Sequence, residues 1–177
     1  MAAAKEYLIL ERKGYRIGFI GLAGTFVAHA EDYLAGLLID RFSDWPSNCQ
    51  HLPVDCIISD PVSVAQRISK ILRSTQDVDI VIAITHMRHE EDLHLTKSCD
   101  RDIDLILGGH DHDLAVHGVD LRATDDTFEG NIKLIKSGTD FRSYSNIKMW
   151  LTRSNGKTSI GYMRGVLTAF SLHTTLC

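Results

Sequence analysis

Histidine is the residue type most able to do chemistry in this sequence of 177 residues. Nine histidines are present. Six of them lie in one central stretch: His86, His89, His94, His110, His112 and His117. Neutral imidazole is a ligand for zinc, iron, manganese and similar ions, and it also exchanges protons near neutral pH. The clustering therefore predicts that metal or catalytic chemistry is centred on this stretch.

Three of these histidines follow apolar runs that are typical of buried strands. The run 79–84 leads to His86, and the run 103–107 leads to a Gly-Gly-His-Asp-His segment that contains His110 and His112. A polar segment that favours a helix lies between the runs, so the order is strand, helix, strand. Such strands are parallel neighbours, and ligands bind beyond their carboxyl ends. We therefore expect three imidazoles at one sheet edge, as a metal site with room for water or substrate.

The remaining elements indicate an α/β chain that becomes rich in strands towards its end. Asp60 and Pro61 are typical of a helix start, because aspartate caps free amides and proline fits the first turn. Charged residues ending in Gly14 favour a hairpin turn between two strands. Further strands are predicted over 132–136, 146–152 and 158–164, and a helical pattern covers 28–42.

The overall charge gives no reason to expect nucleic acid or an anionic membrane as a partner. The chain has 19 Lys and Arg against 23 Asp and Glu, and it contains no basic cluster. No apolar run approaches the roughly 18 residues of a membrane span, and the start lacks a signal-peptide pattern. We therefore expect a cytoplasmic protein if Met1 is the true start. The four cysteines form no C-x-x-C pair, so reduced thiols are expected.

Two segments of the sequence resemble a known family. Thr85-His86-Met87-Arg88 and Ile103-Asp104-Leu105-Ile106-Leu107-Gly108-Gly109-His110-Asp111-His112 resemble the calcineurin-like metallophosphoesterases, most closely their 5′-nucleotidase branch. The strand 17–22 and the segment 136–142 also look like that branch. The resemblance implies an α/β fold that is part of the family's sandwich of two β-sheets flanked by helices. This partial sandwich would contain the βαβ unit, with histidines at the carboxyl ends of its strands.

The resemblance also implies a division of the chain. Residues 1–164 would form part of a metallophosphoesterase catalytic domain, and residues 26–43 are a candidate insertion within it. Residues 165–177 are a tail to which no role is assigned. The family carries about a hundred or more residues before this region, so we expect the chain to be truncated.

The chemistry implied by the resemblance is hydrolysis of phosphate esters, in this branch often nucleoside monophosphates. Two divalent ions such as Mn, Zn or Fe, about 3.5 to 4 Å apart, would activate a bridging water for attack on phosphorus. His86 and His110 would bind one ion and His112 the other. Asp111 and Asp113 either orient these imidazoles or are solvated loop charges. Arg142 either contacts the substrate phosphate or is a surface arginine.

The sequence departs from the family in one important respect. Three upstream motifs, D-x-H, G-D-x-x-D and G-N-H, are absent before residue 17, so no catalytic residue is assigned. A literal D-x-H, Asp92-Leu93-His94, falls inside the helix after His86, and we interpret it as helix surface. Three imidazoles carry no negative charge to balance two divalent ions. We therefore expect the chain alone to bind at most one metal weakly and to be inactive.

Two other readings stay open at this point. The chain could be a non-catalytic, degenerate paralogue that acts as a binding or interaction module, and exposed sheet edges would then favour self-association. Alternatively, it could be a mononuclear metal hydrolase that uses His86, His110 and His112 alone, for which no obvious base is present.

Overall fold

The computed structural model describes residues 5–24, 59–124 and 126–169. Within these ranges no helix is long and apolar enough to cross a lipid bilayer. The expected helix over 28–42 and the candidate insertion at 26–43 lie outside the described residues. The elements in chain order are β1 (Tyr7–Arg12), β2 (Tyr15–Ala23), α1 (Pro61–Ser74), β3 (Ile80–His86), α2 (His89–Ser98), β4 (Leu105–Gly108), β5 (Leu114–Ala123), β6 (Thr127–Ser137), β7 (Ser143–Ser154) and β8 (Lys157–Ala169).

Helix α1 begins where the sequence predicts it. The Asp60 carboxylate accepts hydrogen bonds from the backbone amide of Ser63 at 2.9 Å and from its hydroxyl at 2.6 Å. Pro61 occupies the first turn, where its missing amide hydrogen costs nothing. Ala65, Ile68 and Leu72 form one buried face of the helix. The cap and the apolar spacing therefore agree on the same helix.

The βαβ unit is confirmed, because β3 and β4 are parallel neighbours with Thr85 opposite Gly108. Strand β2 is parallel to β3 on one side, and Ala23 lies opposite His86. Strand β6 is parallel to β4 on the other side, and Lys136 lies opposite Gly108. The carboxyl ends of these four strands therefore meet at one edge of the sheet.

The strands form two packed layers, but a single hydrogen-bonded network joins them. The strand order is β1-β2-β3-β4-β6-β8-β7, with β5 paired to β6. The two layers share strand β6: its residues 134–136 pair with β4, and its residues 127–130 pair with β8. One face of β3 packs against the helices through Val81 and Ala83. The other face packs against the second layer through Ile80 and Ile82.

Asp79 ties the two layers together at the end of the sheet opposite to the histidines. Its Oδ1 accepts hydrogen bonds from the Thr158 hydroxyl at 2.5 Å and from Arg153 at 2.8 Å. Its Oδ2 accepts a bond from the backbone amide of Arg16 at 2.9 Å. Burial acts to raise the pKa of Asp79, but the bonds from Thr158, Arg16 and Arg153 outweigh it, so the pKa is lowered. The carboxylate form is therefore the one that the fold stabilises.

Three further features differ from the expectations or add to them. Strand β5 was not predicted, and it pairs with β6 across two register shifts. Strand β8 continues to Ala169, beyond the strand expected over 158–164, and the division of the chain at residue 164 stays a prediction. Cys99 is a free, buried thiol, and burial raises its pKa to about 11. The other three cysteines lie outside the described residues.

Candidate metal centre

His86 and His110 come together at the carboxyl edge of the parallel strands. His86 is the last residue of β3, and His110 follows β4 by two residues. The backbone amide of Gly109 donates to the Thr85 carbonyl at 2.9 Å, which holds the two strand ends side by side. His86 Nε2 lies 3.3 Å from His110 Nδ1. The rings meet edge to face, with centroids 5.0 Å apart.

This separation fits two ligands of one metal ion. Two nitrogens bound tetrahedrally at about 2.0 to 2.1 Å from a zinc ion are about 3.3 to 3.4 Å apart. His86 is exposed and His110 is half-buried, so the pair is open to solvent. Among the residues that the structure describes, no group of three or more His, Cys, Asp or Glu side chains could hold a metal. The assignment of the two imidazoles as ligands of one ion therefore stays a prediction.

His112 is exposed, and its assignment to a second ion stays a prediction. Its backbone has φ +63°, and that of His110 has φ +80°. Residues other than glycine rarely adopt positive φ angles. Where they do, the surrounding fold enforces the conformation, and such residues cluster at functional sites. The sharp turn is thus made by the histidines themselves. The preceding Gly108 has a different role, because a Cβ there would lie 2.8 Å from Asp92 Oδ2.

A buried ion pair lies directly beneath the two histidines. The side chain of Asp92 on α2 is 0% exposed and that of Lys136 on β6 is 2% exposed, and Asp92 Oδ2 lies 2.9 Å from Lys136 Nζ. The Thr85 hydroxyl donates to Asp92 Oδ1 at 2.6 Å. Burial raises the pKa of Asp92, although the bonds from Thr85 and Lys136 and the lysine charge oppose the shift. The interpretation of Asp92 as helix surface is therefore wrong, whereas His94 of the same motif is exposed.

The Lys136 ammonium also binds both histidine-bearing segments. It donates to the carbonyl of Met87 at 2.8 Å and to that of Gly109 at 2.9 Å, and it pairs with the Asp111 carboxylate. Burial acts to raise the pKa of Asp111, but the hydrogen bond and charge of Lys136 outweigh it, so the pKa is lowered. Asp111 therefore contacts the lysine, and its role in orienting an imidazole stays a prediction.

The other two candidate residues lie in exposed positions. Asp113 is exposed just before β5. Arg142 follows β6, its side chain is 75% exposed, and its guanidinium lies 3.5 Å from Asp140. Their roles as an imidazole partner and a phosphate ligand stay predictions.

Lys136 and Asp92 of the buried pair are not among the site residues expected from the sequence. Lys136 follows Leu134 and Ile135 near the carboxyl end of β6, at the same sheet edge as the histidines. Asp92 lies three residues before the buried Leu95, so it shares the inward face of α2. A charged residue near the end of a buried parallel strand was the available signal for Lys136, whereas the polar sequence of α2 gave none for Asp92.

Two curated proteins of known name are similar in sequence to parts of this chain. Over 58 residues the chain is 40% identical to the trifunctional nucleotide phosphoesterase protein YfkN of Bacillus subtilis, covering 33% of this chain and 4% of that protein. Over 105 residues it is 30% identical to an apyrase of Tabanus yao, covering 59% of this chain and 15% of that protein. The chain thus spans only a small part of the curated relatives that it matches. No protein-family model matches it.

Two solved structures share the fold. The calcineurin-like phosphoesterase YfkN from Bacillus subtilis superposes with a TM-score of 0.61 at 16% identity, over 92% of this chain and 50% of that chain. A 5′-nucleotidase from Staphylococcus aureus superposes with a TM-score of 0.59 at 13% identity, over 95% of this chain and 30% of that chain. The resemblance to the calcineurin-like phosphoesterases and their 5′-nucleotidase branch is therefore confirmed, and the described residues have the fold of these proteins.

Proposed function

We propose that this chain contributes part of the metal centre of a phosphate-ester hydrolase of the 5′-nucleotidase type. His86 and His110 would hold one divalent ion, and His112 would contribute to a second. The substrate would be a phosphate monoester such as a nucleoside monophosphate. The observation that carries the proposal is the 3.3 Å separation of His86 Nε2 and His110 Nδ1, at the sheet edge where such folds bind ligands.

Each group at the edge has a definite task in this proposal. Bound divalent ions supply Lewis-acid chemistry, because they lower the pKa of water and neutralise phosphate oxygens as charge builds up. His86 and His110 act as neutral donors that fix the place of the first ion. Arg142 would reach the phosphate as a cation, and Asp113 would accept an imidazole N–H.

Charge balance limits how many divalent ions this chain can bind by itself. Imidazole binds a metal ion as a neutral ligand, and the carboxylates of Asp92 and Asp111 both pair with the Lys136 ammonium. Binding of two divalent ions needs carboxylate ligands that are free to face them. We therefore expect the 177 residues alone to bind one ion weakly and to hydrolyse phosphate esters at no more than background rate.

The experiment that tests the ligand assignment is a titration of the full chain with Co²⁺, followed by visible absorption. We expect His86→Ala and His110→Ala to weaken binding at least about tenfold, because each removes one of two nitrogen ligands. His94→Ala is the matched control, since His94 is exposed on α2 near Ser98 and should leave binding unchanged. Binding by His86→Ala and His110→Ala that equals the unsubstituted chain would contradict the assignment.

Activity is assayed separately, as phosphate released from adenosine monophosphate in the presence of Mn²⁺. We expect no release above the rate without protein. Release that disappears in His112→Ala would overturn the expectation of inactivity, and it would support a working hydrolase built from these residues alone.

A binding module is the second candidate, and one observation favours it. Strand β1 ends the strand order and pairs only with β2 among the described residues, and its Leu8 and Leu10 are 49% and 44% exposed. Exposed, apolar edge strands are templates for pairing with another chain. Light scattering of the full chain discriminates, because self-association that Leu8→Lys and Leu10→Lys abolish would favour the module.

A further inference from the structure

Lys136 lies at the centre of the contacts that hold the two histidine-bearing segments. An ammonium group has three hydrogen-bond donors. All three are used, on the carbonyls of Met87 and Gly109 and on the carboxylate of Asp111. Met87 directly follows His86, and Gly109 directly precedes His110. One buried cation therefore bonds to the main chain next to each imidazole.

Asp92 supplies the charge that this arrangement needs. Burying an ammonium group costs free energy unless opposite charge lies beside it. Asp92 Oδ2 lies 2.9 Å from Lys136 Nζ as an ion pair, and the Thr85 hydroxyl satisfies the other carboxylate oxygen at 2.6 Å. The Lys136 ammonium thus has carboxylates of both Asp92 and Asp111 beside it.

Gly108 provides an independent indication that this geometry is tightly constrained. A Cβ at position 108 would lie 2.8 Å from Asp92 Oδ2 and 3.0 Å from Lys136 Cε. Both distances are shorter than ordinary van der Waals contact, so a side chain at position 108 would overlap the pair. The aliphatic part of Lys136 therefore packs directly against the backbone of β4. The position of the ammonium is therefore fixed from two sides.

We propose that Lys136 is a positioning residue that sets the separation of the His86 and His110 imidazoles. It does so through the main-chain carbonyls beside them, with Asp92 as its counter-ion. The inference rests on the proposed function only for its consequence for metal binding. The separation of the two rings in the metal-free chain tests the positioning itself.

The main variant removes the two buried charges and the hydroxyl beside them while it keeps the side-chain volume nearly constant. In Thr85→Val/Asp92→Leu/Lys136→Met the carbonyls of Met87 and Gly109 lose a donor. The Asp111 carboxylate is 21% exposed and can turn to water, so no ion is left fully buried without its partner and the chain should still fold. The matched control is Asp100→Asn/Lys133→Met. It removes another ion pair of β6, Lys133 Nζ to Asp100 Oδ1 at 2.9 Å, away from the histidines.

Two readouts are measured on the full chain. The first is the nuclear Overhauser contact between the His86 and His110 ring protons without metal, and the second is the affinity for Co²⁺. We expect the triple variant to lose the ring contact and to bind Co²⁺ about 10- to 100-fold more weakly. The control variant should retain both properties of the unsubstituted chain.

The outcomes separate the inference from the proposed function. A folded triple variant that keeps the ring contact and binds Co²⁺ within about threefold of the unsubstituted chain overturns the inference. Loss of the ring contact in a chain that never binds Co²⁺ supports the positioning role and contradicts the metal-site proposal. If the triple variant does not fold, Gly108→Ala replaces it, because its added methyl group displaces the same lysine. A folded Gly108→Ala with both readouts unchanged would then overturn the inference.

Discussion

Replacing Lys136 by methionine is the sharpest single test of the buried ion pair. Methionine keeps most of the volume of the lysine stem and removes the ammonium. Asp92 is then left with only the Thr85 hydroxyl as a polar partner. The carbonyls of Met87 and Gly109 each lose a hydrogen bond as well.

The expected cost follows from the burial of the pair. The two side chains are 2% and 0% exposed, so solvent screening does not reduce their interaction. Removing one partner of such a pair costs about 3 to 5 kcal/mol, because the other charge stays buried without compensation. In a chain of this size, 1 kcal/mol corresponds to about 2 to 4 °C, so the midpoint of thermal unfolding should fall by about 6 to 20 °C.

The loss of folding stability caused by Lys136→Met should also depend on pH. The pKa of Asp92 is already raised by burial, and loss of the lysine charge should raise it further. A carboxyl group with a raised pKa favours the folded state below that pKa and disfavours it above. The difference in the free energy of unfolding between Lys136→Met and the unsubstituted chain should therefore shrink from pH 7 to pH 5.

Urea unfolding followed by circular dichroism at both pH values measures this difference. Lys133→Met is the control, since its partner Asp100 is 63% exposed and the loss should stay below about 1 kcal/mol. A loss below about 1 kcal/mol in Lys136→Met at pH 7, with no change at pH 5, would refute the buried pair.

Two further substitutions probe the packing of the layers. Asp79→Asn should cost about 1 to 3 kcal/mol at pH 7, because it weakens the bonds from Thr158 and Arg153. The pKa of Asp79 is lowered, so the stabilisation by its carboxylate is present above about pH 4 and is lost as pH falls through the lowered pKa. If Asp79→Asn lost the same free energy of unfolding in urea at pH 7 and at pH 3, this prediction would be contradicted. Gly165→Ala should cost about 1 to 3 kcal/mol, since its Cβ would lie 2.0 Å from the Phe128 ring, and Phe128→Leu should relieve part of that loss in thermal unfolding.

Local signals made the first half of the described fold predictable. Asp60 and Pro61 mark the start of α1, and the apolar runs before His86 and His110 mark two buried parallel strands. These features depend on neighbours in sequence, so one sequence suffices to find them. Strand β5 was missed because it contains Gly118 and takes its place only by irregular pairing with β6.

The candidate site was predictable in part for a related reason. The meeting of His86 and His110 follows from the parallel pairing of β3 and β4. The burial of Asp92 could not be read from its polar helix, because it depends on Lys136, which arrives 44 positions later on a different strand. Contacts between elements that are distant in sequence decide which charges are buried.

Strand β6 has a consequence for how the molecule opens. It pairs with β4 in one layer and with β8 in the other, and it carries Lys136 near its carboxyl end. Because the two described layers share this strand, unfolding of one layer removes support from a strand with which the other layer pairs. Backbone amides of both layers should therefore exchange with deuterium in one cooperative event. The separation of the His86 and His110 imidazoles would then be lost only when the whole fold unfolds.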